Sequence, residues 1–512
     1  MSEAKSKVKE RRYLFACVCL YIASRKIIFS LVVVADDEIS YYGPPAHKCQ
    51  YCGAQFWYQE RVKRTYRGEG DRVRFHLCCR GGKVRLPLLK DPPPFLAGLL
   101  NPNGDTFSKY FIKSIRSYNS MFAFTSLGAK IDMDINKGPG PYVFKINGQV
   151  HHRIGSLLPD EGKSPVYAQL YIYDTDNEVE NRISIFDRDR DCEGENEIDR
   201  RIVEGLVRMF DAANELVKSF RAARDLLVQN NSCRQLRLRL LHDRSKAAPQ
   251  YNAPTGSEIA ALIVGDFSEE KKSPDIIIQD RGGGLRRISN LHSNYMALQY
   301  PVLFPYGEEG FKLGIKYSHT GTLRVKSRGE VTMLEYYAFR LQQRSCEATT
   351  LLCGDRLFQQ YIVDAFASVE ENRLRFIIKN NKNLRSEIYK GIHDALHKGD
   401  FDGNNVGKKV ILPASFTGSK RYMVQNYQDA MAICRFYGPP DLFITFTCNP
   451  KWQEIDDSLA FIPGQKANAR PDMVSRVFKL KVQELVSVLK KGTYFGKSRA
   501  GTTAIFNILG IY

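Results

Sequence analysis

The chain is poor in cysteine: twelve in 512 residues, about 2 %. That density is far below a secreted disulfide scaffold and points to a reducing compartment, nuclear or cytoplasmic. Histidine is scarcer still, with nine, and no two of them are separated by a single residue. A metal site that needs both imidazoles on one strand face through a His-x-His pair is therefore excluded. Long apolar runs are missing too. YLFACVCLYIAS, twelve residues behind Lys5, Lys7, Lys9, Arg11 and Arg12, ends at Arg25-Lys26 before IIFSLVVVA resumes. No stretch reaches the roughly 18–20 residues that span a bilayer. A secretory signal at residues 1–35 and a membrane partner are not expected. A phosphate-binding loop is absent as well. Gly492-Thr493-Tyr494-Phe495-Gly496-Lys497-Ser498 and Gly403-x3-Gly407-Lys408-Lys409 are each one residue short of G-x4-G-K-[ST], so no ATP site is expected. No internal repeat is present.

What is there describes a folded protein. Apolar residues make up 43 % and charged residues 26 %, ordinary values for a globular chain. The length suits roughly two to four domains. Lys and Arg number 75 against 56 Asp and Glu, a net charge of +19. Such a surplus favours a polyanion through counterion release, with nucleic acid the first candidate. Charge alone does not separate DNA from RNA or from an anionic membrane surface.

Cysteines cluster early. Cys49-x2-Cys52 precedes the adjacent pair Cys78-Cys79, and His47 and His76 flank them. A C-x2-C turn aims two thiolates at one tetrahedral ion. The expected centre is one structural zinc held by Cys49 and Cys52 with two of His76, Cys78 and Cys79. On an extended strand adjacent cysteines point to opposite faces, so His76 with Cys78 is as good a second pair as the two cysteines. Reduced core thiols and a disulfide are the competing readings. No HExxH spacing exists for a catalytic zinc.

Along the chain, FAFTSLGAKIDMDI, YVFKINGQV and PVYAQLYIYD read as strands across 111–175. His151-His152 follows the second and reads as structural. Ile202, Leu206, Met209, Ala213, Leu216, Phe220 and Leu227 recur at three- and four-residue steps, predicting one helix over 199–229. Its arginines and lysines read as a solvated face. SKAAPQYNAPTGSE, 245–258, reads as a linker, and AALIVGDF with PDIIIQD as a hairpin. Helices are expected at 329–343, 354–379, 384–397 and 473–491. His393 and His397 on the third are read as surface histidines. Phe443, Thr445 and Thr447 alternate with Ile444, Phe446 and Cys448, a core strand stopped by Asn449-Pro450.

LPASFTGSKRYMVQNYQDAMAICRFYGPPDLFITFTCNPKWQEI and RPDMVSRVFKLKVQELV resemble the N-terminal helicase-like region of Helitron transposon proteins. LHSNYMALQYPVLFPYGEEGF, RLFQQYIVDAFASVEENRLRFI, CQYCGAQFW and GQVHHRIGSLLP fit the same family, so the resemblance runs from about 47 to 496. It implies a piece of a rolling-circle transposase, in which this region precedes a nuclease and a helicase. The family nuclease holds a divalent ion with a His-hydrophobic-His pair while a tyrosine attacks the phosphate. Here the similarity stops near TYFGK, about where that centre should begin, and Tyr512 has no claim to be the nucleophile.

The expected fold is α+β and multidomain: a small Cys-rich module, a strand-rich middle and a mixed helical and sheet C-terminal domain. The divisions are a poorly ordered leader, 1–46, and a zinc-ribbon-like module, 47–100. A strand-rich region ending in a long helix, 101–244, and the linker follow. Then come a hairpin and connecting region, 259–335, the helicase-like domain, 336–497, and an unrelated tail, 498–512. The expected function is a catalytically incomplete transposase fragment, truncated before the nuclease and helicase motifs, that retains at most nucleic-acid binding. The alternative is a working non-enzymatic single-strand binder. Either way DNA is the partner, single-stranded, and no small-molecule substrate is expected. Lys420, Arg421, Tyr422, Lys451 and Trp452 supply cations for phosphates and rings for bases. The 441–448 strand is expected to be buried and paired on both edges. The 423–436 helix should cover it through Val424, Tyr427, Met431 and Cys434, and the 473–491 helix should pack nearby through Val477, Leu480 and Leu485.

Overall fold

The computed structural model describes residues 17–23, 40–62, 73–132, 134–136, 142, 144–147, 149–188, 198–229, 236–242, 260–264, 275–279, 284–318, 329–380, 412–440, 442–492, 496 and 500–506. The 245–258 linker, the 384–397 helix with His393 and His397, the Gly403–Lys409 loop and Tyr512 lie outside them. The architecture is α+β, as expected: long helices with small antiparallel sheets. Two compact units are present, one drawn from Tyr42–Ala365 and Pro450–Val474, the other from Tyr13–Tyr41, Phe366–Asn449 and Ser475–Tyr512.

The first unit is helical where strands were expected. PVYAQLYIYD is not a strand: Tyr167–Tyr171 is a 3-10 helix, with Ala168, Leu170 and Tyr171 all buried. Consecutive burial of 168–171 leaves no alternation to favour a strand, and the Gln169 side chain caps the start of the turn by accepting from the Val166 amide at 3.0 Å. Among the described residues FAFTSLGAKIDMDI and YVFKINGQV yield the two-residue strands Ser126–Leu127, Lys130–Ile131 and Ile146–Asn147. The helix expected over 199–229 is two, Arg200–Ala213 and Glu215–Gln229. Asn214 divides them, because its Oδ1 accepts the Leu216 and Val217 amides at 2.9 and 3.2 Å and caps the second helix. Their apolar stripes meet an aromatic core in which Phe124 packs on Tyr171 at 4.5 Å and on Phe220 at 5.0 Å. The basic residues are paired: Arg200 with Glu180 and Glu204, Arg201 with Asp199, Lys218 with Glu215, Arg221 with Glu178 and Asp211. The expected hairpin is also rearranged. Ala260–Val264 and Ile276–Gln279 are strands, but each pairs with Leu236–Leu240, which lies between them. LRLRL, a strict period-2 segment, is the partner that the sequence reading passed over.

In the second unit the sheet order is Leu442–Thr447, Cys17–Ala23, Ala500–Phe506, all antiparallel. Two expectations fail here. Leu442–Thr447 is at an edge among the described strands, paired on one side only. The middle place belongs to Cys17–Ala23, from the segment read as a poorly ordered leader. The physical reason lies in the length of its apolar run: too short for a bilayer, it suits a strand, which rises about 3.3 Å per residue. The third strand comes from the tail read as unrelated. Ile444, Phe446 and Cys448 are buried on one face, and Phe446 stacks on Phe478 at 5.7 Å. Val477, Leu480 and Leu485 of the Pro471–Lys491 helix are buried, as expected.

The Lys420–Tyr437 helix is a correction. Met423, Val424, Tyr427 and Met431 are exposed, Tyr427 at 65 %, and no residue of the helix is buried. It runs beside Ala500–Phe506 and does not lay its apolar stripe over the Leu442–Thr447 strand.

Candidate metal centre

Two turns build the centre, both in the first unit. His47–Lys48 and Gln55–Phe56 form a short hairpin, and the Gly53 amide bonds the Cys49 carbonyl at 2.9 Å across the C-x2-C turn. Gly53 has φ +70, which a glycine adopts without strain. Phe56 stacks on Phe75 at 4.5 Å, tying this hairpin to the second turn. There the chain coils instead of extending. Arg80, Gly81 and Gly82 all have positive φ, the Arg80 amide reaches the His76 carbonyl at 3.1 Å, and the Gly82 amide donates to Cys79 Sγ at 3.2 Å. A Cβ on Gly82 would meet the Tyr51 ring at 2.7 Å, so only glycine closes this turn under that ring.

The coil decides which ligands converge. The Sγ atoms of Cys49, Cys52, Cys78 and Cys79 all lie within 4.8 Å of one another. Cys79 Sγ is 3.6 Å from both Cys49 Sγ and Cys78 Sγ. Tetrahedral thiolates at a 2.3 Å bond stand about 3.8 Å apart, so the set has the dimensions of a closed four-sulfur site. His76 is exposed and not part of it. The rule that adjacent residues face opposite ways holds on a strand, and 77–83 is a turn. Cys49, Cys78 and Cys79 are buried and Cys52 half-buried, and all four are free of disulfides.

The four sulfurs divide charge unequally. Hydrogen bonds from Cys52, then Cys78 and Cys79, hold the Cys49 thiol far below its ordinary range. At Cys52 the bond to Cys49 works upward, those with Cys78 and Cys79 outweigh it, and the thiol falls to about 7. Cys78 and Cys79 are pushed up, first by their bonds to Cys49.

The residues expected to meet nucleic acid fare differently. In the second unit, Lys420 is exposed, and Arg421 and Tyr422 are half-buried in the first turn of the Lys420–Tyr437 helix, which Ser419 caps through the Tyr422 amide at 3.0 Å. In the first unit Lys451 is exposed, but Trp452 is 5 % exposed. Its ring belongs to the core and offers no face to a base, which corrects that expectation. Trp452 stands at the start of the Gln453–Leu459 helix.

Two buried polar constellations went unread. His152 is fully buried; its Nε2 meets Asp364 Oδ2 at 2.7 Å, its Nδ1 faces the Tyr295 carbonyl at 3.2 Å, and the Tyr300 hydroxyl donates to the same Asp364 oxygen at 2.8 Å. The His152 ring lies flat on Tyr295 at 3.8 Å. His151 turns outward and accepts from Arg153 at 2.7 Å. The other is Arg344, buried beside Cys52. Neither announces itself in sequence, because their partners lie 212 and 292 residues away.

Residues 336–505 match the family model described as the Helitron helicase-like domain at N-terminus. The chain carries a Helitron helicase-like domain. That domain is one of transposon helicase-related proteins. The match starts inside the Met333–Arg340 helix and runs past 497 to include most of the Ala500–Phe506 strand, so part of the expected tail belongs to the Helitron helicase-like domain. A search of curated proteins finds no match. No described helix is long and apolar enough to cross a membrane.

Proposed function

We propose that the chain binds single-stranded DNA without acting on it chemically, as a catalytically incomplete relative of Helitron rolling-circle transposases, and that its four cysteines hold one structural zinc. The observation that carries the reading is the concentration of charge around the cysteines. Residues 47–91 hold eleven Lys and Arg against four Asp and Glu. Lys48, Arg85 and Lys90 are exposed there, as are Tyr51 and Tyr58 at 43 and 44 %. Arg61 lies over the Tyr58 ring at 3.8 Å. Cations that follow a backbone and rings that stack on bases make a single-strand platform. Lys420, Arg421, Tyr422 and Lys451 are further contacts in this proposal. The absence of a His-x-His pair and of a phosphate-binding loop from the 512 residues supports binding over catalysis. Reduced thiolates suit a nuclear or cytoplasmic setting.

Fluorescence anisotropy of the full chain against a single-stranded oligonucleotide at two salt concentrations tests this. Micromolar or tighter binding that weakens steeply with salt is expected. Charge reversal at Lys48 and Arg85 should lower the logarithmic salt slope by about two, and Tyr51→Ala with Tyr58→Ala should weaken binding by about 1–3 kcal/mol per base unstacked. Salt-insensitive binding, a preference for duplex, or metal-dependent nicking of the oligonucleotide would overturn it.

A further inference from the structure

Arg344 is the side chain that links the cysteine cluster directly to the start of the Helitron helicase-like domain. Arg344 is fully buried. Its Nε donates to the Cys52 carbonyl at 3.1 Å, its Nη2 stands 3.9 Å from Cys52 Sγ, and its Nη1 donates to the Gln342 carbonyl at 3.2 Å. The guanidinium lies on the Phe339 ring at 3.8 Å. The backbone follows: Ala54 and Arg344 form an antiparallel bridge, and the Gln55 amide bonds the Gln343 carbonyl at 3.0 Å.

Charge is the informative quantity. Arg340 and Arg344, both buried, share one carboxylate, Glu347, at 3.3 and 2.8 Å. Among the described residues the two guanidiniums thus share one carboxylate at ion-pair distance, with Glu308 acting on Arg340 from further away. A buried charge without a counter-charge is costly. Four thiolates on a divalent ion carry a net charge of −2, and Cys52 Sγ is the sulfur beside the guanidinium. Each charge is the natural complement of the other.

We infer that Arg344 is a positioning residue of the metal centre: it fixes the Cys52 turn and offsets the negative charge of the metal-thiolate group. The inference rests on the metal reading of the four cysteines. Lysine keeps the charge but loses the planar fork that reaches carbonyl, carboxylate and sulfur together.

The test measures affinity of the full chain for Zn²⁺ and Co²⁺ by competition with a chelator, in wild type, Arg344→Lys and Arg344→Met. Wild type should bind about one equivalent. Arg344→Met should bind about tenfold to a hundredfold more weakly, the usual cost of losing an outer-shell partner. Arg344→Lys should recover part of that loss, and the thiolate-to-cobalt absorption should shift in both variants. If Arg344→Met does not fold, a weaker affinity and shifted absorption in Arg344→Lys carry the result. Equal affinities and spectra in a folded variant would sink the role of Arg344 and leave the centre standing. A wild type that binds neither ion would sink the metal reading and this inference with it.

Discussion

Cys52→Ser in the full chain is expected to remove all bound metal and to lower the melting temperature by roughly 10 °C. The argument starts from the closed geometry: four sulfurs within 4.8 Å of one another, three of them buried. Serine does not present a soft anionic donor at neutral pH, and the three remaining thiolates then face the ion with an open position. Loss of a metal belongs to the short set of changes that cost more than about 4 kcal/mol. In a unit of this size each kcal/mol moves the midpoint by about 2–4 °C. Metal analysis of wild type purified without chelator should return about one equivalent. Cys346→Ser is the control, since Cys346 is exposed and outside the four; its metal content should be unchanged. If the cysteines are ordinary core thiols, wild type will hold no metal, and Cys79→Val will be nearly neutral because valine fills the same apolar space.

The contrast between those two outcomes reflects what was legible in the sequence. Cys49 and Cys52 were readable as half a site, because a C-x2-C turn is a local object. The second half was not, since its geometry depends on the left-handed backbone at Arg80, Gly81 and Gly82, and only the paired glycines hint at it. The long helices Asp355–Asn380 and Pro471–Lys491 lie within two residues of where their apolar spacing put them. Local periodicity carries such elements whole. It failed where a local cap interrupts a continuous stripe, as at Asn214, and where tertiary pairing decides the role. Cys17–Ala23 takes the middle of a sheet whose other strands are more than 400 residues away in the chain. Nothing near residue 20 encodes those partners. Trp452 misled for a related reason: an aromatic beside Lys451 reads as a ring for bases, whereas its 5 % exposure makes it packing.

The second large effect is expected at His152. Asp364→Ala should destabilise the chain by about 2–6 kcal/mol, because it strands two buried hydrogen-bonding groups at about 1–3 kcal/mol each. Asp364 Oδ2 receives both His152 Nε2 and the Tyr300 hydroxyl, and all three groups are buried. Removing the carboxylate leaves a buried imidazole nitrogen and a buried phenol without their acceptor. Tyr300→Phe removes one donor and leaves the His152–Asp364 contact intact, so a smaller loss of about 1 kcal/mol is expected. His152→Ala strips the same oxygen and vacates the ring that lies on Tyr295, so its cost should approach that of Asp364→Ala. The double variant His152→Ala, Asp364→Ala should cost clearly less than the sum of the two, because the second change removes a group that the first has already stranded. Urea unfolding of the four variants against wild type gives the cycle. Additivity within about 0.5 kcal/mol would mean that the two side chains are stabilised separately, and would dissolve the pair into ordinary packing. Asp364 lies in the Helitron helicase-like domain and His152 outside it, so strong coupling would make the segment before residue 336 part of the same cooperative core.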